Sequence, residues 1–589
     1  MRLHLPHLIQ DRQYLRDGGD ILLATPVQTL NLPDDGLFGD GPVHPRVAVV
    51  DLDAETHRLR PPTRFLPQAV GKTVSAYDLA GGPLDADSPL ESFESDDFLR
   101  LNPFATVLKT LQFFESKEIL GRPVRWAFPS EQLLIVPRAG EMKNAFYDRA
   151  TGSLQFYHHP AAGGHTVYTA LSHDIIVHET THAILDGLAP DLYHASNPQS
   201  LALHEALADL SAITQTLLNE MIVFSLDAIS SSTVDPLEAL SRLAEEFGAD
   251  VRLPEGARHI NGASFLRRLK NDRGLGPDRT GTAGSSAADA LDHAAVPLSS
   301  DPHALSQVLS GAVYAVFEMR MRNTHRSGDF FAGLEAEFCP AARRVARIVF
   351  RALDYLPPGE AGFVDYGRAF LNAAAATYKR PQLEQRALIG EFVRRRIVSD
   401  PAELESAPPA DFRLDPVEID RLAADPAALE KFAREHREAL GIPAEADFEA
   451  LDPVQAHRAL KSNPAAKTSR EMIFRFRWTE TETHDLGASL PRTWSTTHGT
   501  ALAVNGSGAV LSLLTTAPER SAGRAAPDRA SARFAMLRRW AAEGRLVLEE
   551  AALGPDGRPR SDAVLLKIDG GVARAVGGGR TLHIARDFE

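Results

Sequence analysis

The sequence is poor in cysteine and has no long apolar run. Its single cysteine, Cys339, excludes an internal disulfide and any cysteine-rich metal cluster, and its setting before a helical stretch favours a packing role. No stretch approaches the roughly 18 apolar residues of a membrane span, so no membrane partner is expected. The N-terminus interrupts its apolar residues with polar ones and offers no signal-peptide core, which predicts a cytoplasmic protein.

Basic residues are outnumbered by acidic ones. The 589 residues include 63 Lys and Arg against 78 Asp and Glu, a formal net charge of -15 at pH 7. Because a phosphate-binding face normally needs a basic excess, no nucleic-acid partner is expected. The chain is also too long for one hydrophobic core, which predicts several domains, and composition leaves the oligomeric state open.

The most informative stretch that is present is the pentapeptide HETTH at residues 178–182. On an α-helix, residues four apart lie one above the other, so His178 and His182 would present two imidazoles to one metal ion, with Glu179 beside them. Chance can supply five such letters in a chain with 21 histidines, and an exposed polar helix face is the alternative interpretation.

A catalytic zinc ion needs three protein ligands and one open position for water, so a third ligand has to come from elsewhere. The pattern HEALAD at residues 204–209 puts Glu205 on the next predicted helix, with Asp209 one turn later. A ligating carboxylate followed by a carboxylate that accepts a ring N–H is typical of such sites, and an ordinary solvated pair is the alternative. His158 and His159 are weaker candidates, because neighbouring residues of a strand point to opposite faces.

Taken in order, these motifs resemble those of the thermolysin-like gluzincins, the M4 peptidase family, from about residue 109 to about residue 378. NAFY at 144–147 is similar to the family's substrate-binding edge strand. The segment 174–186 resembles the family's zinc helix, and the segment 204–210 resembles the helix that carries its third ligand. FLRRL at 265–269 resembles a pocket segment, and the segment 303–317 resembles the block that opens with the catalytic histidine. Motifs that match in the same order are not explained by coincidence.

The resemblance implies a role for each matching residue. One catalytic Zn²⁺ would be bound by His178, His182 and Glu205, with Glu179 as general base and proton shuttle. Asp209 would orient His178, and Tyr193 and His303 would hold the oxyanion. The residues that would contact substrate are Asn144, Ala145 through its carbonyl, Arg267, Leu266 and Ile175. Leu266 and Ile175 would line an apolar pocket, which implies a preference for an apolar residue after the scissile bond. A packing aromatic, a loop histidine and simple surface charge are the alternative interpretations of Tyr193, His303 and Arg267.

The sequence also departs from the family pattern. His204 stands where the family usually has an asparagine beside its ligand glutamate, so the partner of His182 is expected to differ. The loop that leads to the third-ligand helix is longer than in the family. Asp174 matches one ligand of the family's calcium cluster, but Thr216 falls where a ligand glutamate would be, so no structural calcium is predicted at that site.

The predicted fold class is α+β, a thermolysin-like two-lobe metallopeptidase with a β-rich N-terminal lobe, a mostly helical C-terminal lobe and an appended C-terminal β-rich domain. Period-two apolar patterns after Met472 indicate the strands of that last domain. The predicted units are a β-rich or irregular segment at 1–95, a β-rich catalytic lobe ending in the zinc helix at 96–187, a helical catalytic lobe at 188–400, a helical spacer at 401–470 and an accessory domain at 471–589.

The predicted function is that of a zinc-dependent endopeptidase with a peptide or protein substrate. Two alternatives stay open: a catalytically silent zinc-scaffold binding protein, and a zinc hydrolase of a non-peptide amide. Glu179 argues against the first, because a scaffold needs the metal ligands but not a base. The accessory domain would serve either inhibition of the cleft or recognition of the substrate.

Overall fold

The computed structural model of the chain is a mixed α+β structure. It describes residues 2–9, 27–33, 35–53, 56, 58–70, 73–77, 90–161, 164–193, 195–220, 222–223, 237, 241–243, 267–276, 295–297, 302–324, 334–406, 412–459, 467–487, 490–516, 529–548 and 564–577. Over these residues, no helix combines the length and the apolar character that crossing a membrane requires.

The described residues up to 77 are built of strands. They are β1 (Arg2–Leu8), β2 (Val27–Pro33), β3 (Val43–His44), β4 (Val47–Val49), β5 (Leu52–Asp53), β6 (Arg58–Leu59), β7 (Phe65–Val70) and β8 (Thr73–Tyr77). In β1, Leu3 and Leu5 are fully buried while His4 and Pro6, which follow them, are partly exposed, the alternation that a strand requires. The strand pairs antiparallel with β2 and parallel with β8 in a sheet of order β2-β1-β8-β7.

A five-stranded sheet lies next along the chain. This region contains α1 (Asp96–Glu115), β9 (Leu133–Val136), β10 (Ala145–Asp148), β11 (Ser153–Phe156), β12 (His158–Pro160) and β13 (Thr166–Tyr168). The strands β10 and β11 form an antiparallel hairpin, and the sheet order β10-β11-β9-β4-β3 leaves β10 at an edge. Residues 124–128, which lie between Pro123 and Pro129, form no strand.

The next helices are α2 (His173–Leu188), α3 (Pro190–Tyr193) and α4 (Pro198–Leu217). The helix α2 begins where the Ser172 side chain accepts the N–H of Ile175, and α4 begins where Asn197 accepts that of Gln199. Both helices are buried almost throughout, including most of their polar side chains, and they pack against each other. The predicted metal helix and the helix after it are both present.

The remaining part of the central region is mostly helical. It contains β14 (Arg242–Leu243), β15 (Arg267–Arg268), β16 (Gly274–Gly276), β17 (Ala295–Pro297), α5 (Pro302–Thr324), α6 (Leu334–Tyr355), α7 (Phe363–Thr377) and α8 (Gln382–Arg394). The helix α5 packs against α4, α6 and α8. The short strand β14 pairs antiparallel with β15.

The C-terminal domain (residues 412–577) is organised around a seven-stranded sheet. Its elements are α9 (Pro416–Ala424), α10 (Pro426–Glu435), β18 (Phe448–Ala459), β19 (Thr468–Thr483), β20 (Thr493–Asn505), β21 (Val510–Thr515), α11 (Arg529–Ala542), β22 (Leu546–Leu548), β23 (Val564–Asp569) and β24 (Val572–Gly577). The helical spacer predicted at 401–470 is therefore only partly helical. Its end is β18, a largely polar segment whose backbone is held by antiparallel pairing with β19.

The sheet of the C-terminal domain packs directly on the central helices. Ile473 of β19, Ala503 of β20 and Leu514 of β21 are buried within one hydrophobic core that also runs through α2, α4, α6 and α7. The outer face of the sheet has its own core with α9 and α10, in which Phe474, Phe476 and other apolar side chains are buried. The sheet thus has apolar partners on both faces.

Candidate metal centre

The helix α2 places the three polar residues of the HETTH motif together in a buried position. His178 and His182 lie one turn apart, with their Nε2 atoms 3.0 Å from each other. Within the described residues, His178, Glu179 and His182 are the one group of three or more His, Cys, Asp and Glu side chains whose ligand atoms all lie within 4.8 Å of one another. The exposed polar face considered from the sequence is excluded, because all three side chains are buried.

Glu205 joins this pair from the neighbouring helix α4. Its two carboxylate oxygens lie 3.4 Å from His178 Nε2 and 3.4 Å from His182 Nε2. Ligand atoms at ~2.0–2.1 Å from a tetrahedral ion lie about 3.3–3.4 Å from one another. The two ring nitrogens and the nearer carboxylate oxygen of each are therefore spaced as donor atoms around one zinc ion would be.

The other nitrogen of each imidazole is held from behind. His178 Nδ1 lies 3.0 Å from Asp209 Oδ1, and His182 Nδ1 lies 2.6 Å from His204 Nδ1. Burial and the neighbouring His182 hold the pKa of His204 well below its usual range, so His204 is neutral and can accept the Nδ1–H of His182. With both Nδ1 atoms engaged, both Nε2 atoms face one point and are the ring atoms that would bind a metal ion there.

The charges at this point favour a cation. Burial alone would raise the pKa of Glu205, but the imidazoles of His303 and His182 hold it well below its usual range. Burial disfavours the charged form of His178, yet hydrogen bonds to Asp209 and Glu205 raise its pKa to about 10. Buried carboxylates thus keep a proton on an imidazole, and a divalent cation would satisfy the same charge. The residues present fit Zn²⁺, with His178, His182 and Glu205 as its ligands.

Glu179 faces the edge of the five-stranded sheet. Its Oε2 atom accepts a hydrogen bond of 3.1 Å from the backbone N–H of Tyr147 in β10. Backbone groups alternate in direction along a strand, so Ala145 directs its carbonyl to the same outer edge as the N–H of Tyr147. Asn144 precedes this strand, and its side-chain oxygen accepts the N–H of Ala145. The structure therefore brings Asn144 and Ala145 onto the strand that borders Glu179.

A buried ionic contact joins this edge strand to α2. Asp186, one turn beyond His182, accepts hydrogen bonds from the guanidinium of Arg149 and, at 2.8 Å, from the hydroxyl of Tyr147. No role was predicted for Arg149 or Asp186 from the sequence. The sequence does show that Asp186 follows His182, a proposed metal ligand, by one helical turn. Its partners, Tyr147 and Arg149, lie in a hairpin far away in the sequence.

The two predicted oxyanion donors occupy different places. His303, in the first turn of α5, has its Nε2 atom 3.4 Å from Glu205 Oε2 and therefore lies within the cluster. Tyr193 is buried beside His204, with its ring centroid 5.7 Å from that of Tyr147 and 4.5 Å from the Arg149 guanidinium carbon. The oxyanion roles of both residues stay predictions.

The other predicted substrate residues are placed unevenly. Ile175 lies in the first turn of α2 and is buried. Arg267 lies in β15, where its backbone pairs with Leu243, and Leu266 lies outside the described residues.

Residues considered for other metal roles lie elsewhere. Asp174, a match to a family calcium ligand, lies 3.5 Å from His173 Nδ1, and the Thr216 hydroxyl donates to the Ala212 carbonyl of its own helix. His158 stacks on Tyr168 across the β12–β13 pair. These contacts are local to their own elements.

Comparisons with known proteins leave this site to be interpreted from its own geometry. No model of a protein family matches the chain, and no curated protein matches it either.

Proposed function

We propose that the protein is a zinc-dependent endopeptidase whose central region has the two-lobed, thermolysin-like arrangement. The observation that carries this proposal is the spacing of the donor atoms beside a buried Glu179. The Nε2 atoms of His178 and His182 lie 3.0 Å apart, and each lies 3.4 Å from a different carboxylate oxygen of Glu205. A metal scaffold without turnover needs these donor atoms, but it does not need a carboxylate held between them and a sheet edge.

The chemistry follows from the positions of the side chains. A Zn²⁺ ion held by His178, His182 and Glu205 would act as a Lewis acid and make water a better proton donor. Glu179, whose carboxylate accepts the N–H of Tyr147, would take a proton from the attacking water and hand it to the leaving amine. His303 beside Glu205 is the donor best placed to stabilise negative charge on the carbonyl oxygen, an interaction worth about 3 kcal/mol.

The sheet edge favours a peptide over other amides. An extended chain can add to β10 as a further strand, because the carbonyl of Ala145 faces outward there. Such pairing recognises the main chain of a peptide and brings its carbonyl carbons past Glu179. Ile175, buried in the first turn of α2, provides part of an apolar lining for the adjoining side chain.

The proposal is tested by zinc content and by cleavage of an unstructured protein. The native chain is expected to hold about one equivalent of zinc and to cleave, whereas Glu179→Gln keeps the zinc and loses cleavage by several orders of magnitude. The exposed Glu131→Gln is the matched control and is expected to behave as the native chain. Zinc without cleavage of a broad peptide library, in the native chain as in Glu179→Gln, would instead support the silent scaffold.

A further inference from the structure

We propose that the C-terminal domain is a fixed part of the metal centre, and that Arg533 is a positioning residue for the helix that carries Glu205. The expected effect of Arg533 on zinc binding rests on the proposed function. A positioning role differs from inhibition of the cleft and from substrate recognition, because the C-terminal domain would then support the metal centre whether or not substrate is bound.

The contact begins at Glu360, in the loop between α6 and α7. Its Oε2 atom accepts a hydrogen bond of 2.8 Å from the guanidinium of Arg533 in α11, which also donates to Glu482 at the end of β19. Its Oε1 atom accepts the backbone N–H of Ser196 at 3.2 Å and the Ser196 hydroxyl at 2.9 Å. Arg533, Glu360 and Ser196 are all buried, so each depends on the others for its polar partners.

Ser196 lies immediately before the first turn of α4. Two further bonds tie this turn to the same loop, from the Ser200 hydroxyl to the Ala361 carbonyl at 2.8 Å and from Phe363 N–H to the Gln199 side chain at 3.0 Å. The position and direction in which α4 begins are therefore set by the 360–363 loop. Arg533 supplies the cation that holds the carboxylate of this loop in place.

Apolar packing reinforces the link. Leu201 in α4 is buried in a cluster with side chains of the C-terminal domain, namely Trp494, Met536, Leu537, Trp540, Val564, Leu566, Ala573 and Ala575, together with Ala195. Leu201 precedes Glu205 by one helical turn, so the C-terminal domain packs on the helix face from which Glu205 projects.

A second ionic contact holds the domain in the same place. Arg458 of β18 pairs with Asp354 of α6 and, at 2.8 Å, with Glu471 of β19, which in turn pairs with Arg351 of α6. All four side chains are buried. A domain that dissociated to open the cleft would have to break both contacts with α6, Arg458 with Asp354 and Glu471 with Arg351. The arrangement therefore argues against a detachable inhibitor.

The test uses the full-length chain with Arg533→Met, Arg533→Lys and Arg434→Met. Arg434 is the matched control, because it is an exposed arginine of the same domain that pairs with Glu430 within α10. Zinc affinity is measured by competition with a chelator, and Co²⁺-substituted samples give an absorption spectrum that reports coordination. We expect Arg533→Met to weaken zinc binding about tenfold and to alter the Co²⁺ spectrum, with partial recovery in Arg533→Lys and no change in Arg434→Met.

Two results would overturn the inference. The first is a folded Arg533→Met variant whose zinc affinity and Co²⁺ spectrum equal those of the native chain. The second is faster cleavage by Arg533→Met, which is the result expected if the substitution releases an inhibitory domain. If circular dichroism shows that Arg533→Met is not folded, Glu360→Gln decides in its place, because glutamine keeps an acceptor for Ser196 and removes only the charge. Absence of zinc from the native chain is a distinct outcome, which contradicts the proposed function itself.

Discussion

The Nδ1 atoms of His182 and His204 lie 2.6 Å apart, in two buried rings that are parallel to within 8°. His204 therefore occupies the position behind one proposed zinc ligand that Asp209 occupies behind the other. A neutral imidazole in this position accepts a hydrogen bond without adding charge, so the net charge of the side chains at the proposed metal centre is set by Glu205, Asp209 and Glu179.

This relationship predicts the behaviour of two substitutions. His204→Leu removes the acceptor for His182 Nδ1–H and is expected to weaken zinc binding by about 10- to 100-fold. His204→Asn restores an acceptor oxygen and is expected to retain most of the affinity. Chelator competition on both folded variants checks the prediction, and equal affinity in the leucine and asparagine variants would show that the contact has no role in holding the metal.

The two predicted oxyanion donors should respond differently to removal. His303→Ala is expected to lower kcat by about 10²- to 10³-fold with little change in KM, because its ring lies at the cluster and acts when charge develops. Tyr193→Phe is expected to lose less than about tenfold, because the Tyr193 ring packs against Arg149 and Tyr147 and phenylalanine keeps that packing. Steady-state kinetics decide this, and a larger loss in Tyr193→Phe than in His303→Ala would reverse the assignment.

The contact between Arg149 and Asp186 should affect both stability and turnover. Arg149→Met leaves the fully buried Asp186 carboxylate without its cation and is expected to lower the free energy of unfolding by about 3 kcal/mol. Because Tyr147 and Arg149 hold β10 against α2, kcat/KM should fall while bound zinc is retained. Thermal unfolding and zinc analysis measure the two effects. The exposed Arg125, whose contact with Asp452 is long, gives the control Arg125→Met, which should change neither.

Stability should depend on pH through Lys109. Burial lowers the pKa of this amine to about 8, and its Nζ atom lies 3.2 Å from His7 Nε2. The folded protein therefore releases this proton more readily than the unfolded chain, whose lysine has a pKa near 10.5. The contribution of Lys109 to stability accordingly rises as pH increases from 8 to 10.5, and the ammonium form is destabilising below pH 8.

The variant Lys109→Met should remove this dependence. It is expected to be more stable than the native chain at pH 7 by about 1–2 kcal/mol, a value reduced because the side chain is only half-buried, and the gain should shrink toward pH 10. Denaturant unfolding at both pH values tests this against Lys117→Met, an exposed lysine beyond the end of the same helix. A gain that is equal at the two pH values would contradict the assignment.

The local parts of the fold were accessible from the sequence. The helix with HETTH, the helix with Glu205, the β10–β11 hairpin and strands such as β19 follow from apolar periodicity and turn residues, which act between near neighbours. The spacing of His178 and His182 also sets their geometry on a helix without further information.

Other features depend on partners that are distant in the sequence. The strand β18 is held by β19, and β14 by β15, so neither segment carries a strong signal of its own. The contact of Arg149 with Asp186 and the contact of Arg533 with Glu360 join residues that only the tertiary fold brings together. The position of Tyr193 beside Arg149 likewise could not be read from its spacing to His182.

The most direct measurement is X-ray absorption at the zinc edge on the purified, full-length native chain. One zinc per chain is expected, with two imidazole nitrogens and one carboxylate oxygen at about 2.0–2.2 Å and a further oxygen from water. Glu205→Gln should weaken zinc binding and change the oxygen coordination, while both imidazole ligands remain. A chain that binds no zinc, or a zinc ion with fewer than two imidazole ligands, would contradict the assignment of His178, His182 and Glu205 as the metal centre.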